Sequence, residues 1–414
     1  MNKFKRLLGG NINIKQYFMV IALVAIVTFF GILSSGKLFA PMNVSNIIFQ
    51  NAYVIILAIG MLICILTGGN IDLSVGSVVA LVGACVGNLI IRQKMDVYLA
   101  AGIGLALGLL IGCWHGFWIA YVRIPAFIVT LSGMLVYRGL TITLLAGQTL
   151  SPFPAEFKQY STGFLPDLLG EFNLFGAKLN GFCMAVGVTI VAVTVVVQLI
   201  NYNNRRRKGY AVGRAGALIA KLVVIGAVVL ALFFVLARYK GVPTVLVLAG
   251  ILLLVYTFFT SSTVMGRHIY ALGGNEKAAR LSGVKTNGLL FFAYANMGLL
   301  AAVAGLVFAA RLDSSSPQAG QNFELDAIAA CYIGGASAYG GIGTIGGALI
   351  GALIMGVLNN GMSINGIATD TQMVVKGLVL LGAVAFDVIS KKQTALPAIR
   401  LGRKKKAQAG NLAL

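Results

Sequence analysis

The residues best suited to touch a polar solute lie in two short stretches. One reads Thr67-Gly-Gly-Asn-Ile-Asp-Leu-Ser-Val-Gly-Ser77. Asn70, Asp72 and Ser74 supply hydrogen-bonding groups where two glycines end an apolar run, and Asp72 or Ser74 can cap the next helix by accepting from its free N–H groups. Irregular backbone at a membrane boundary is tolerated where protein or a watery cavity surrounds it. The stretch reads as a pathway wall or gate, or else as a tight turn with a good cap. The other runs from Arg311 to Asp326, RLDSSSPQAGQNFELD, with Arg311, Glu324 and Asp326 as its charged candidates; the plainer reading is a solvated loop. Hydrogen bonding and charge are the only chemistry on offer. No nucleophile–base pair stands out, and no G-x-x-x-x-G-K-[ST] loop is present to cradle ATP. His115 and His268 stand too far apart for a metal site. Cys64, Cys85, Cys113, Cys183 and Cys331 all sit in apolar runs without CxxC spacing and read as small buried hydrophobes.

A third stretch could pass force to a partner. It runs from Gly266 to Val284, GRHIYALGGNEKAARLSGV. Gly273 and Gly274 break the chain, Asn275 is a suitable N-cap, and Glu276 falls in the first turn, where the helix dipole favours an anion. Ala278, Ala279 and Leu281 read as a small apolar patch beside Ser282, and Gly283 is a natural stop. A helix of about two turns is not stable alone. It must pack, either on its own bundle or in a groove on a partner protein. A fourth stretch, Gly334 to Gly351, carries small residues at four-residue spacing (Gly343, Gly347, Gly351), which lets helix backbones approach closely. A hinge is the alternative. The GxGxxG pattern from Gly341 to Gly346 has no βαβ setting and carries no dinucleotide meaning.

These stretches are set among long apolar runs. Of 414 residues, 58% are hydrophobic and 10% charged, and the mean hydropathy is +0.91. A run of roughly 20 apolar residues spans a hydrocarbon layer about 30 Å thick. Helices are expected near 17–34, 47–66, 73–91, 97–122, 125–145, 181–200, 215–237, 243–262, 288–310, 326–340, 343–359 and 371–390. The fold class expected is all-α, polytopic, with about ten to twelve transmembrane helices in a single domain over 1–414. The segment 326–340 is short enough to re-enter rather than span. The first run is read as an uncleaved helix.

The net charge of +21 resembles a nucleic-acid footprint, but no polar domain exists to carry one, so no nucleic-acid partner is expected. Basic residues gather instead in alternate gaps, as Arg205, Arg206, Arg207 and Lys208, as Arg267, Lys277, Arg280 and Lys285, and in a basic tail at 391–414. The positive-inside rule then puts both termini in the cytoplasm. Arg138 and Lys376 fall within spans and are expected to snorkel outward. Asp72, Asp326 and Asp387 are the acids nearest to spans, all close to expected ends. Trp114 and Trp118 share one helix face and are expected to anchor the inner interface. The outer gap 146–180 is rich in aromatics, among them Phe153, Phe157 and Phe164. They cap the bundle, meet an external partner, or form an interfacial belt.

Together, NIDLSVGS (70–77), YALGGNEKAARLSGV (270–284), FELDAIAACYIGGAS (323–337) and GALIMGVLNNGM (351–362) resemble the sugar permeases of ATP-binding-cassette importers, the ribose, xylose and multiple-monosaccharide group. The resemblance covers nearly the whole chain in order. It implies a bacterial inner-membrane permease that moves a monosaccharide. It also implies a second permease copy, a cytoplasmic ATP-binding-cassette ATPase that holds the ATP, and an extracytoplasmic sugar-binding protein. By the same resemblance Asn275–Gly283 is the coupling helix seated in the ATPase. Ribose-type permeases are shorter, and residues 181–240 look like an added helix pair of the xylose and multiple-monosaccharide subgroup. An ion-coupled secondary transporter, a membrane scaffold, and a permease for a nucleoside or other solute are the rival expectations.

Overall fold

The computed structural model describes residues 14–174, 176–210 and 215–395. The basic segment before Ile14, Phe175, Arg214 and the expected tail beyond Ala395 lie outside the described residues. Helix α1 (Ile14–Leu33) leads through a 3₁₀ turn at Lys37–Phe39 into α2 (Pro41–Leu66). Then come α3 (Val75–Gly87), which continues as a π turn over Asn88–Arg92, α4 (Val97–Ala120) and α5 (Ala126–Leu145). The long segment that follows holds α6 (Ala155–Thr162) and a small hairpin, β1 (Glu171–Leu174) with β2 (Ala177–Asn180), paired Glu171 to Asn180. Next are α7 (Gly181–Arg207), α8 (Ala215–Ala237), α9 (Thr244–Ser262), α10 (Val264–Gly274), α11 (Glu276–Leu281) and α12 (Thr286–Leu312). The chain ends in α13 (Phe323–Ile333), α14 (Ile345–Ile364) and α15 (Thr369–Ala395). Nine of these among the described residues are long and apolar enough to cross a membrane. The protein is an all-α polytopic membrane protein; the hairpin is a minor exception.

The helices sort into an inner and an outer set. In α2, α3, α12 and α14, 72% or more of the apolar stretch is buried, against 11% to 17% in α7, α8 and α9. Without a hydrophobic drive between helices in lipid, the inner set is held by close packing of small residues. At Gly347 and Gly351 of α14 a methyl group would overlap the carbonyls of Gly334 and Ala330, so the small-residue spacing there serves close approach to α13. The pair α7–α8 packs mainly on itself, around Cys183, Phe233 and Leu236.

The expected helix at 326–340 is corrected. It begins at Phe323 and stops at Ile333, giving only 11 residues. Its start is deep: Tyr53, in the middle of α2, donates from its hydroxyl to Asp326 Oδ2 at 3.2 Å. The chain below it, 334–344, runs as a glycine-rich loop to the end of α2, where Gly341 N donates to Leu66 O at 3.1 Å. The segment therefore passes the bundle as a broken helix. Glycines at 334 and 335 end the helix although the apolar run does not stop, with Gly335 at φ +83°. A similar break precedes α3, which starts at Val75 after the irregular stretch 67–74 and passes Gly305 of α12 at Val79.

Candidate functional site

The two broken helices meet at their N-terminal ends. A methyl on Gly76 would overlap the Gly320 carbonyl and Glu324, and one on Gly320, at φ +68°, would overlap Gly76. Around this contact the bundle gathers its buried charges. Lys376 Nζ of α15 lies 3.0 Å from Asp326 Oδ1 and donates to Oδ2 at 3.3 Å. The Asp326 side chain is 2% exposed, and a carboxylate so placed is tolerated because it is paired. Tyr53 is held in place by stacking on Phe323 at 3.8 Å, with Phe308 edge-on to that ring at 4.8 Å. Arg138 of α5 donates to the carbonyls of Pro317 at 3.0 Å and Ala319 at 2.6 Å, clamping the irregular chain that enters α13.

The expectation that Arg138 and Lys376 snorkel outward is therefore corrected. Each finds a carbonyl or carboxylate inside the bundle, which costs less than reaching past neighbouring helices to water. Asp72 and Asp326 do lie at helix ends, Asp72 just before α3 and Asp326 in the first turn of α13, and both are buried. The side chain of Asp387 lies outside the described residues.

A second polar group lies between the break before α3 and α4–α5. Asp72 Oδ1 accepts from Ser74 N at 2.8 Å and Ser74 Oγ at 2.6 Å. Asp72 Oδ2 is 3.9 Å from His115 Nδ1, and His115 Nε2 is 3.2 Å from the Tyr137 hydroxyl. His115, expected to stand apart, is thus part of a buried trio. No group of three or more metal-binding side chains occurs among the described residues. Asn70 does not join: its amide donates to Thr67 Oγ1 at 3.1 Å and closes the turn after α2. So the structure unites Glu324 and Asp326 in the first turn of α13, leaves Arg311 in the last turn of α12, sets Asp72 and Ser74 one contact away through Gly76, and leaves Asn70 aside. Sequence reasoning missed Tyr53 and Tyr137, set His115 aside, and turned Arg138 and Lys376 outward. The signal was present for the last two, since an ionisable residue within a span calls for a partner before it calls for an escape.

On the opposite side of the bundle from the aromatic loop sits α11. Asn275 Oδ1 accepts from Ala278 N at 3.0 Å, the expected cap. Glu276 Oε1 accepts from Arg123, in the α4–α5 turn, at 2.7 Å, and Arg123 also donates to Asn287. The apolar patch is corrected: helical spacing turns Ala279 inward at 6% exposure and leaves Leu281 89% exposed. Ala278, Ser282 and Gly283 are exposed as well. An additional helix, α10, which the sequence reading did not place, joins this tip to the core. Its Tyr270 hydroxyl donates to Gly343 O at 2.8 Å. A methyl on Gly273 would strike the Leu66 carbonyl and Gly341, so α10 abuts both the end of α2 and the loop below α13.

In the aromatic loop after α5, Phe153 and Phe157 are buried, so this part caps the bundle, while Tyr160, Leu168 and Leu169 remain exposed. Asp313 Oδ2 accepts from Lys158 at 2.9 Å and Asp313 Oδ1 from Phe153 N at 2.7 Å. The Lys158 bond, more than the backbone one, holds the Asp313 carboxyl below the usual carboxylate range.

This arrangement can offer donors and acceptors to a polar solute inside the bundle. Relatives match along nearly the whole chain. The xylose transport system permease protein XylH of Escherichia coli K12 is 38% identical over 93% of this chain and 94% of its own length. XylH of Haemophilus influenzae is 39% identical over 92% and 98%. The ribose import permease protein RbsC of Escherichia coli K12 is 36% identical over 90% and 94%. No solved structure matches the chain. The family described as branched-chain amino acid transport system, permease component, matches residues 43–384, and with its broken helices, buried charge pairs and near full-length relatives the chain belongs to that family.

Proposed function

We propose that this chain is the membrane subunit of an ATP-driven importer in the bacterial inner membrane and that it moves a monosaccharide, xylose or a related pentose or hexose. It works as one of two copies, with a cytoplasmic ATP-binding-cassette ATPase and an extracytoplasmic sugar-binding protein; both termini face the cytoplasm. The chain itself holds no ATP site. The observation that carries this reading is the arm α10–α11, a capped helix that exposes Leu281 and is rooted by Gly273 against Leu66 and Gly341. Movement of the exposed tip by a partner reaches both broken helices through that root. The names of the relatives supply the sugar, and the uncharged hydroxyls of a sugar suit the hydrogen-bonding groups near Asp72, Ser74, Glu324 and Asp326.

The test is uptake of labelled xylose into proteoliposomes holding the assembled transporter, with and without ATP. Glu276→Lys and Gly283→Pro should each abolish ATP-driven uptake while the protein still inserts; normal uptake in both would remove the coupling role of α11. A second reading, an ion-coupled carrier acting alone, is favoured by the buried Asp326–Lys376 and Asp72–His115 contacts. Uptake that persists without the ATPase would decide for it.

A further inference from the structure

Between α13 and α15 lies a cavity of about 260 Å³. Its wall is largely apolar, with Asn322, Asp326, Thr369, Gln372 and Lys376 converging on it. A mostly apolar hollow with a few placed polar groups is the usual form of a small-molecule site. We propose that this cavity is where the transported sugar contacts the subunit, with Asp326 and Lys376 as its polar contacts and the mouth at Thr369. The proposal rests on the sugar-import reading and places the solute within it.

Three features support the assignment. The cavity opens at the N-terminal end of a helix that starts in the bundle interior, so solute entering it stands at the level of the Tyr53–Asp326 bond. The pair is asymmetric: the Asp326 side chain is 2% exposed and the Lys376 side chain 23%. Lys376 can therefore turn toward a ligand while Tyr53 still donates to Asp326. And the two charges cancel, so the site suits a neutral molecule. A sugar hydroxyl accepts from the ammonium and another donates to the carboxylate, which replaces the direct pair without leaving either charge bare.

The experiment uses the assembled transporter with its ATPase and binding protein. T369C is treated with a charged methanethiosulfonate reagent, with the natural chain treated in parallel to account for Cys85 and Cys113, which are half-buried. Modification of T369C should cut ATP-driven xylose uptake about tenfold. Sugar-loaded binding protein with ATP should slow that modification. Should T369C fail to assemble, Q372C, one turn further along the same wall, takes its place with the same expectations. A modified cysteine that leaves uptake at the natural rate, with no protection by sugar, overturns the cavity assignment while import stands. A natural complex that drives leucine but neither xylose nor ribose overturns the import reading itself, and the proposal with it.

Discussion

The inner helices and the outer pair α7–α8 follow opposite rules. Mean hydropathy is highest in α7 and α8, at 2.5 and 2.9, which are among the least buried helices. It is 1.9 in α3 and α12 and 1.5 in α14, which are among the most buried. In water the most apolar elements would lie inside. In lipid the solvent is apolar, so the greasiest helices face out and the interior can hold glycines, hydroxyls and paired charges. Hydropathy thus separates α7 and α8 from α3, α12 and α14, while α2, at 2.3 and 78% buried, is both apolar and central.

The largest effect expected from breaking this contrast is at the contact of the broken helices. Gly76→Val should cost about 3 kcal/mol through overpacking and sharply lower the yield of folded protein in detergent. Gly226→Ala in α8, where an added methyl meets Val191 at an ordinary 3.4 Å, should match or exceed the natural thermal stability by up to about 1 kcal/mol. Equal sensitivity at both sites would dissolve the distinction between the sets.

Next in size is the buried charge pair. Lys376→Met leaves Asp326 without its cation and should destabilise by about 3 kcal/mol, most of which D326N/K376M should recover. Thermal unfolding of the two single variants and the double variant measures this coupling; additive losses would mean that the pair does not act as a unit.

A milder change is removal of the outer pair. Asn180 and Gly241 lie close together, so a short linker can replace α7 and α8 without stretching the chain. The shortened protein should insert and import within about threefold of the natural rate, a change of less than 1 kcal/mol in activation free energy. Loss of all import would assign the pair a working role.

The smallest effect is in the aromatic loop after α5. Asp313 has a lowered pKa in the folded chain, so its contribution is present above the unfolded value of about 3.9 and fades as pH falls through the folded value. The pair is partly exposed, which limits its worth. The protection of the Phe153 amide against hydrogen exchange, taken relative to the intrinsic rate at each pH, should fall on acidification below that range, and Asp313→Asn should show reduced protection at neutral pH already.

Local features were legible in the sequence. Long apolar runs located the spanning helices, and the cap at Asn275 needs only its own side chain and the amide of Ala278 three residues on. What escaped was set by partners distant in the chain. Hydropathy carries on through Gly334 and Ala336, so the end of α13 at Ile333 is invisible to it. Asp326 and Lys376 are separated by 50 positions, and nothing in either neighbourhood names the other. His115 stood alone in the sequence and gained company only when Asp72 and Tyr137 were folded against it.

The abutment of Gly76 and Gly320 limits how this machine can open. Each residue fills the space where the other's side chain would be, so neither segment can twist about its own axis without collision. Opening must therefore carry the two stubs together, tilting as one wedge.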